Sequence, residues 1–324
     1  MKKHIILFFI CSLVLVFAND KLKIGVLSYG TVNWELDVLK HHNLDKKYGF
    51  DLELVNIASK NAQSIALLAN EVDMIVHDWV WINLQKSKNR DYMFYPYSKA
   101  TGTLVVNQNI KDFADLKEKE LGIAGGKYSK TWLLFKAFYE KKYQKDFQDE
   151  VSVLYASPSI LYLKMLNNSL DAAINFWHFN SKLEPKGIRP LISIKEVLNE
   201  IGIKSDIPFI GWTFSKKFAM KNKKLINSFI SASHEAKEIL KNSDEEWNRI
   251  KRIMKVKDIK TFNALKNGYK KGIINHLDKT TIEDMKKVYT ILAKQSGFKY
   301  VDKNSTLDES IFWNFNKVKL KANE

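Results

Sequence analysis

The chain has 324 residues, with 52 Lys and Arg against 36 Asp and Glu, for a formal net charge of +16. Its single cysteine is Cys11, so beyond that point disulfide frameworks and thiolate chemistry are excluded. The basic excess raises nucleic acid as a partner, but the lysines are scattered along predicted helix faces (Lys216, Lys217, Lys221, Lys223, Lys224) without a binding motif, so we read them as solvated surface and expect no nucleic acid.

At the N-terminus Lys2 and Lys3 precede an uncharged apolar run from Ile5 to Phe17, and Val16 and Ala18 supply a small-residue cleavage pattern. This predicts a secretory signal peptide over 1–18, cleaved after Ala18, with the mature chain in the periplasm. Phe9 and Ile10 stand before Cys11 where a lipoprotein signal needs small residues. No later apolar stretch has the length needed to cross a bilayer.

Alternating strands and helices follow. Lys23–Leu27 reads as a strand, Val32 to Lys46 as a helix, and Leu52–Ile57 as a second strand. Ser59 is placed to cap a helix running to Asn70, and Met74–Val76 reads as a third strand. This order predicts a mostly parallel sheet covered by helices. Shifting the sequence by 98 positions then brings 34–79 onto 132–177 with eleven identities, including Trp34/Trp132, Ser59/Ser157 and Trp79/Trp177. A Leu-x-Asn-x-x-Asp pattern ends both copies, so we expect two similar α/β lobes. From about Ser215 the texture turns helical, with helices expected over 222–254, 259–275 and 280–295 packing onto the first lobe, and a short helix around Glu309–Phe315.

Ligands of open parallel sheets sit at the carboxyl ends of strands. By the repeat, those ends carry Ser28, Tyr29, Gly30 and Thr31 with Trp34; His77, Asp78, Trp79, Val80 and Trp81; Gly125, Gly126, Tyr128, Ser129, Thr131 and Trp132; and Asn175, Trp177 and His178. Five of the eight tryptophans lie in these stretches, and each serves equally well as core or as an aromatic wall. Gly125-Gly126 opens a helix whose N-terminus suits an anion. Asp78 either accepts from an amine of the ligand or caps the next helix. The set fits a small amphipathic solute with one polar head and one flat or methylated portion, held partly by cation–π contacts of about 0.5–2 kcal/mol each.

These residues carry a resemblance. KLKIGVLSYG at 21–30, ALLANEVDMIVHDW at 66–79, IKDFADLKEKELGIAGGKYSKTW at 110–132 and LYLKMLNNSLDAAINFW at 161–177 resemble the periplasmic substrate-binding proteins of ABC importers, in the branch of the sulfonate, taurine, nitrate and thiamine-pyrimidine binders. The resemblance implies a type II periplasmic-binding-protein fold of α/β class, with lobe 1 built from 20–103 plus 212–324 and lobe 2 from 104–211. Hinge crossings fall near 101–105 and 207–213, adding Thr101, Phe209 and Trp212 to the cleft. It also implies a monomer that clamps a small-molecule solute and delivers it to an ABC permease in the inner membrane. A ligand-sensing protein acting on a membrane receptor would carry the same fold. The thiamine-pyrimidine synthases that share the fold use a cysteine-rich motif absent here, so we expect no enzyme and no cofactor. No His-x-x-x-His spacing suggests a metal, and His41-His42 reads as an exposed helix end.

Overall fold

The computed structural model describes residues 20–274, 277–298 and 306–313; the expected signal peptide lies outside them. Among these residues, ten strands form two sheets of five. They are β1 (Asp20–Leu27), β2 (Phe50–Ile57), β3 (Met74–His77), β4 (Tyr92–Ser98), β5 (Thr103–Val106), β6 (Glu120–Ala124), β7 (Ser152–Ala156), β8 (Ala172–Asn175), β9 (Arg189–Ile192) and β10 (Ile210–Ser215). The first sheet runs β2-β1-β3-β10-β4 and the second β7-β6-β8-β5-β9. In each, three parallel strands are followed by one strand antiparallel to both its neighbours, β10 in the first sheet and β5 in the second. The chain passes between the sheets over 99–102, between β4 and β5, and over 201–209, ahead of β10.

Helices cover both sheets: α1 (Val32–His41), α2 (Leu44–Lys47), α3 (Lys60–Leu68), α4 (Trp79–Lys86), α5 (Lys130–Tyr143), α6 (Phe147–Glu150), α7 (Pro158–Leu166), α8 (Trp177–Leu183) and α9 (Ile194–Glu200). The repeat is structural. Under the same shift α3 falls on α7 and β3 on β8 with identical bounds. Ser59 and Ser157 cap α3 and α7 by accepting from Ala62 N–H and Ile160 N–H. The Leu-x-Asn-x-x-Asp pattern is also explained by local chemistry. Asn70 and Asn168 adopt φ of 58°, the left-handed turn that asparagine tolerates. Asp73 and Asp171 then accept from the backbone N–H of Lys23 in β1 and Glu120 in β6, the strand that lies between two parallel neighbours in each sheet.

Beyond β10 lie α10 (Lys216–Lys221), α11 (Lys223–Asn242), α12 (Asp244–Met254), α13 (Ile259–Gly272) and α14 (Lys279–Gln295). The single helix expected over 222–254 is broken at Ser243, whose hydroxyl caps α12 through Glu246 N–H. The helix expected from Val32 to Lys46 likewise breaks, where Asn43 takes φ of 52°. Near the end only the 3-10 turn Glu309–Ile311 is described.

The expectation that the C-terminal helices pack onto the first lobe holds for α11, whose Ser233 donates to Glu35 of α1, and for α12, whose Arg249 pairs with Asp37. It does not hold for α14. Lys294 and Gln295 bind Glu140 of α5, and Asp284 accepts from the backbone of Lys204 and Ser205. On its other side Tyr289 meets Asn83 and the ring of Trp79. The apolar positions Ile282, Met285, Val288, Tyr289 and Leu292 join a core that also contains Leu134, Phe138 and Leu104, so one helix seals parts of both lobes.

Candidate functional site

The four loops singled out in sequence lie at the carboxyl ends of β1, β3, β6 and β8 and open α1, α4, α5 and α8. The structure brings them together in diagonal pairs. Lys130, at the start of α5, reaches Asp78 before α4 at 3.0 Å. Trp34 of α1 meets Trp177 of α8 edge-on at 6.3 Å. The repeat maps Asp78 and Lys130 onto positions 176 and 32, beside the second contact, so the two lobes meet about an approximate two-fold.

Asp78 is the electrostatic centre. Its Oδ1 caps α4 by accepting from Trp81 N–H at 2.9 Å, while Oδ2 faces the ammonium groups of Lys60 and Lys130, each at 3.0 Å. Burial alone would push this carboxyl up; Lys130, Lys60 and His77 outweigh that and hold it well below the usual carboxylate range. Two cations against one carboxylate leave a positive surplus. The helix ends add to it, because Thr31 before α1 and Ser129 before α5 make no side-chain cap, leaving first-turn N–H groups uncapped from the side.

His77 is pushed down to about 4, mainly by burial and then by Lys60. Its Nδ1 accepts from Asp78 N–H at 2.8 Å, and its Nε2 stands 3.1 Å from Ser64 Oγ. A serine, a histidine and an aspartate thus stand in a row, with Nδ1 also 3.3 Å from Asp78 Oδ2. Ser64 Oγ donates to Lys60 O at 3.1 Å, so its proton is committed to the backbone rather than aimed at the imidazole.

The tryptophans divide unevenly. Trp79, Trp132 and Trp212 are buried in the lobe cores, for Trp79 and Trp132 the first of the two roles open to them in sequence. Trp79 Nε1 donates to Pro208 O, Trp212 Nε1 donates to Ser233 Oγ, and the Trp132 ring lies 5.4 Å from Phe147. Each large ring following a strand end gains more by turning under its sheet than by standing in water. Trp34 is buried as well, against Trp247 and Tyr269, while Trp81 is half-buried over His77 at 4.4 Å. Asn175 is buried and committed to Pro158 O and Phe176 N–H, a structural duty. Phe209 is buried at the second crossing.

Ser28, Tyr29 and Gly125 are exposed, and Gly30, Thr31, Gly126, Tyr128, Ser129, Thr131, Trp177, His178 and Thr101 are partly so. Thr101 Oγ1 lies 3.2 Å from Thr131 Oγ1, and burial pushes His178 down to about 4. Tyr29 and Phe176 are 57% and 44% exposed and supply the aromatic surface. Lys60 was passed over in sequence, while Phe176 stood within one of the four loops and Lys130 read as added charge beside Gly125-Gly126 or as plain surface. The repeat contained the signal for Phe176, since it occupies the position of Asp78.

A separate cavity of about 640 Å³ opens at the crossings, between α8, α9 and α13. It shares only Thr101, Trp177 and Phe209 with the expected set and is lined further by Lys99, Glu184, Lys195, Asp206, Lys270 and Lys271.

With this geometry, the chain has the two-lobed type II periplasmic-binding-protein fold. Solved structures similar to it include periplasmic binding proteins and the desulfurization enzyme DSZB. It is similar to the periplasmic aliphatic sulphonate binding protein SsuA from Escherichia coli, with a TM-score of 0.72, 17% identity, and 95% of this chain and 96% of that one covered. The alkanesulfonate-binding protein SsuA from Xanthomonas axonopodis pv. citri, bound to MOPS, gives 0.70 and 15%, covering 92% and 99%. The periplasmic nitrate-binding protein NrtA from Synechocystis PCC 6803 gives 0.60 and 12%, covering 89% and 84%. No family model and no curated protein sequence matches the chain.

Proposed function

We propose that the protein is the exported solute-binding component of an ABC importer: a periplasmic monomer that closes its two lobes on a small solute and hands it to an inner-membrane permease. The observation that carries this reading is the ion pair Asp78–Lys130, which joins one lobe to the other across the loops where a ligand of this fold would sit. Because Lys130 stands at an uncapped helix N-terminus and Lys60 supplies a second cation on the same carboxylate, the head group of the solute is anionic. A sulfonate or carboxylate is held by backbone N–H groups and the displaced ammonium of Lys130. Tyr29 and Phe176 cover the organic portion. The likeness to sulfonate- and nitrate-binding proteins supports the same charge sign.

The test is a thermal-shift screen of the mature protein against sulfonates, carboxylates, pyrimidines and amines, with titration calorimetry of any hit. An anionic hit whose affinity falls at least tenfold in Lys130→Gln supports the reading. Hits confined to amines would reverse the assignment of the head group, and chemical turnover of a bound compound would replace transport with catalysis.

A further inference from the structure

We infer that the first lobe carries a divalent transition-metal site formed by His41, His42 and Glu246, at the opposite end of α1 from the solute loop. His41 closes α1 and His42 is its C-cap; Glu246 comes from the first turn of α12. One ligand atom from each lies within 4.8 Å of the others. Adjacent residues inside a helix diverge by about 100°, but the helix ends here, so the two imidazoles turn to the same side, edge-to-face at 5.0 Å.

The donor set suits zinc, copper or nickel: two borderline imidazoles and one carboxylate, with the remaining positions open to water. Ligands about 2.0–2.2 Å from a tetrahedral zinc stand roughly 3.4 Å apart. His42 Nε2 and Glu246 Oε2 are already 3.2 Å apart. His41 is exposed, so a side-chain rotation brings it the remaining distance. Glu246 is anchored for the task. Its Oε1 accepts from Arg249, its backbone N–H donates to Ser243, and its side chain is buried, which leaves Oε2 aimed at the histidines.

The surrounding charges do not oppose a cation. Arg249 is paired with both Glu246 and Asp37, and the nearby Lys47 is paired with Glu235 on α11, so neither cation stands unpaired beside the histidines. A bound metal would tie the end of α1 to the start of α12 and stabilise the first lobe by mass action.

The experiment uses the full mature chain, freed of any affinity tag, titrated with zinc chloride at neutral pH by calorimetry, and with cobalt chloride followed by visible absorption. The expected result is one high-affinity equivalent, tetrahedral cobalt bands, and a zinc-dependent rise in melting temperature. His42→Ala and Glu246→Gln each weaken binding about tenfold or more. Glu246→Gln keeps the side-chain volume, and circular dichroism of the metal-free variants confirms that they fold. Wild-type binding no tighter than that of a His41→Ala/His42→Ala/Glu246→Gln variant overturns the site, as does wild-type protein that takes up no zinc.

Discussion

The residue that governs the candidate site is Asp78, and its several duties can be separated by substitution. Asp78→Asn retains an oxygen to cap α4 but removes the charge that holds Lys60 and Lys130. We expect a loss of stability on the order of 2–3 kcal/mol, below the figure for a fully dry pair because Lys60 is half exposed; chemical denaturation measures it. A different residue tests the frame. A Cβ at Gly102 would stand 1.8 Å from the carbonyl oxygen of Asn175, and that oxygen belongs to backbone that cannot yield. Gly102→Ala is therefore expected to cost more than about 3 kcal/mol or abolish folding, read by the same denaturation curve. In sequence Asp78 was legible as a cap or an acceptor, and the cap is what the structure shows. Its lysine partners were not legible as such, because Lys60 precedes it by a whole helix and strand and Lys130 comes from the other lobe.

At the scale of elements, periodicity and capping residues were enough to place strands and helices. Ser59, Ser157 and the paired Asn-x-x-Asp turns do the same physical work in both halves. The misplacements came at helix ends and in packing partners. No local pattern distinguished a helix lying on one lobe from one spanning two, and α14 does the second. Its reach predicts a measurable coupling. Asp284→Ala removes the acceptor for the N–H groups of Lys204 and Ser205 at the second crossing, leaving two partly buried donors to water. We expect about 1–3 kcal/mol of destabilisation and faster hydrogen exchange at those two amides, with exchange in β1 and β2 unchanged. Uniform acceleration over both sheets would show that α14 does not act locally at the crossing.

For the whole molecule, acidity is the natural perturbation. His77, His178 and His234 are each pushed down to about 4, in every case first by burial. The unfolded chain therefore binds more protons than the folded one between the ordinary histidine range and pH 4. Stability present above about pH 6.5 is lost as pH falls through that window, by up to about 1.4 kcal/mol per pH unit for each histidine. Below it, Asp78 adds a loss of the same sign, since its carboxyl is held low by Lys130 and Lys60 against burial. Denaturation midpoints measured from pH 7 to pH 4 should fall steadily. A flat profile would mean that these imidazoles are protonated in the folded state.

The two sheets also differ in how soon they can exist. Every strand of the second sheet lies between Thr103 and Ile192, so that unit is complete once its own stretch of chain is available. The first sheet is not: β3 and β4 share no hydrogen bonds and are joined only through β10, which comes after the entire second lobe. Closing it requires contacts of long sequence separation, which form late. Until Ser215 has emerged, β3 and β4 lack the strand that joins them, and the N-terminal third of the protein holds two strand edges without their partner.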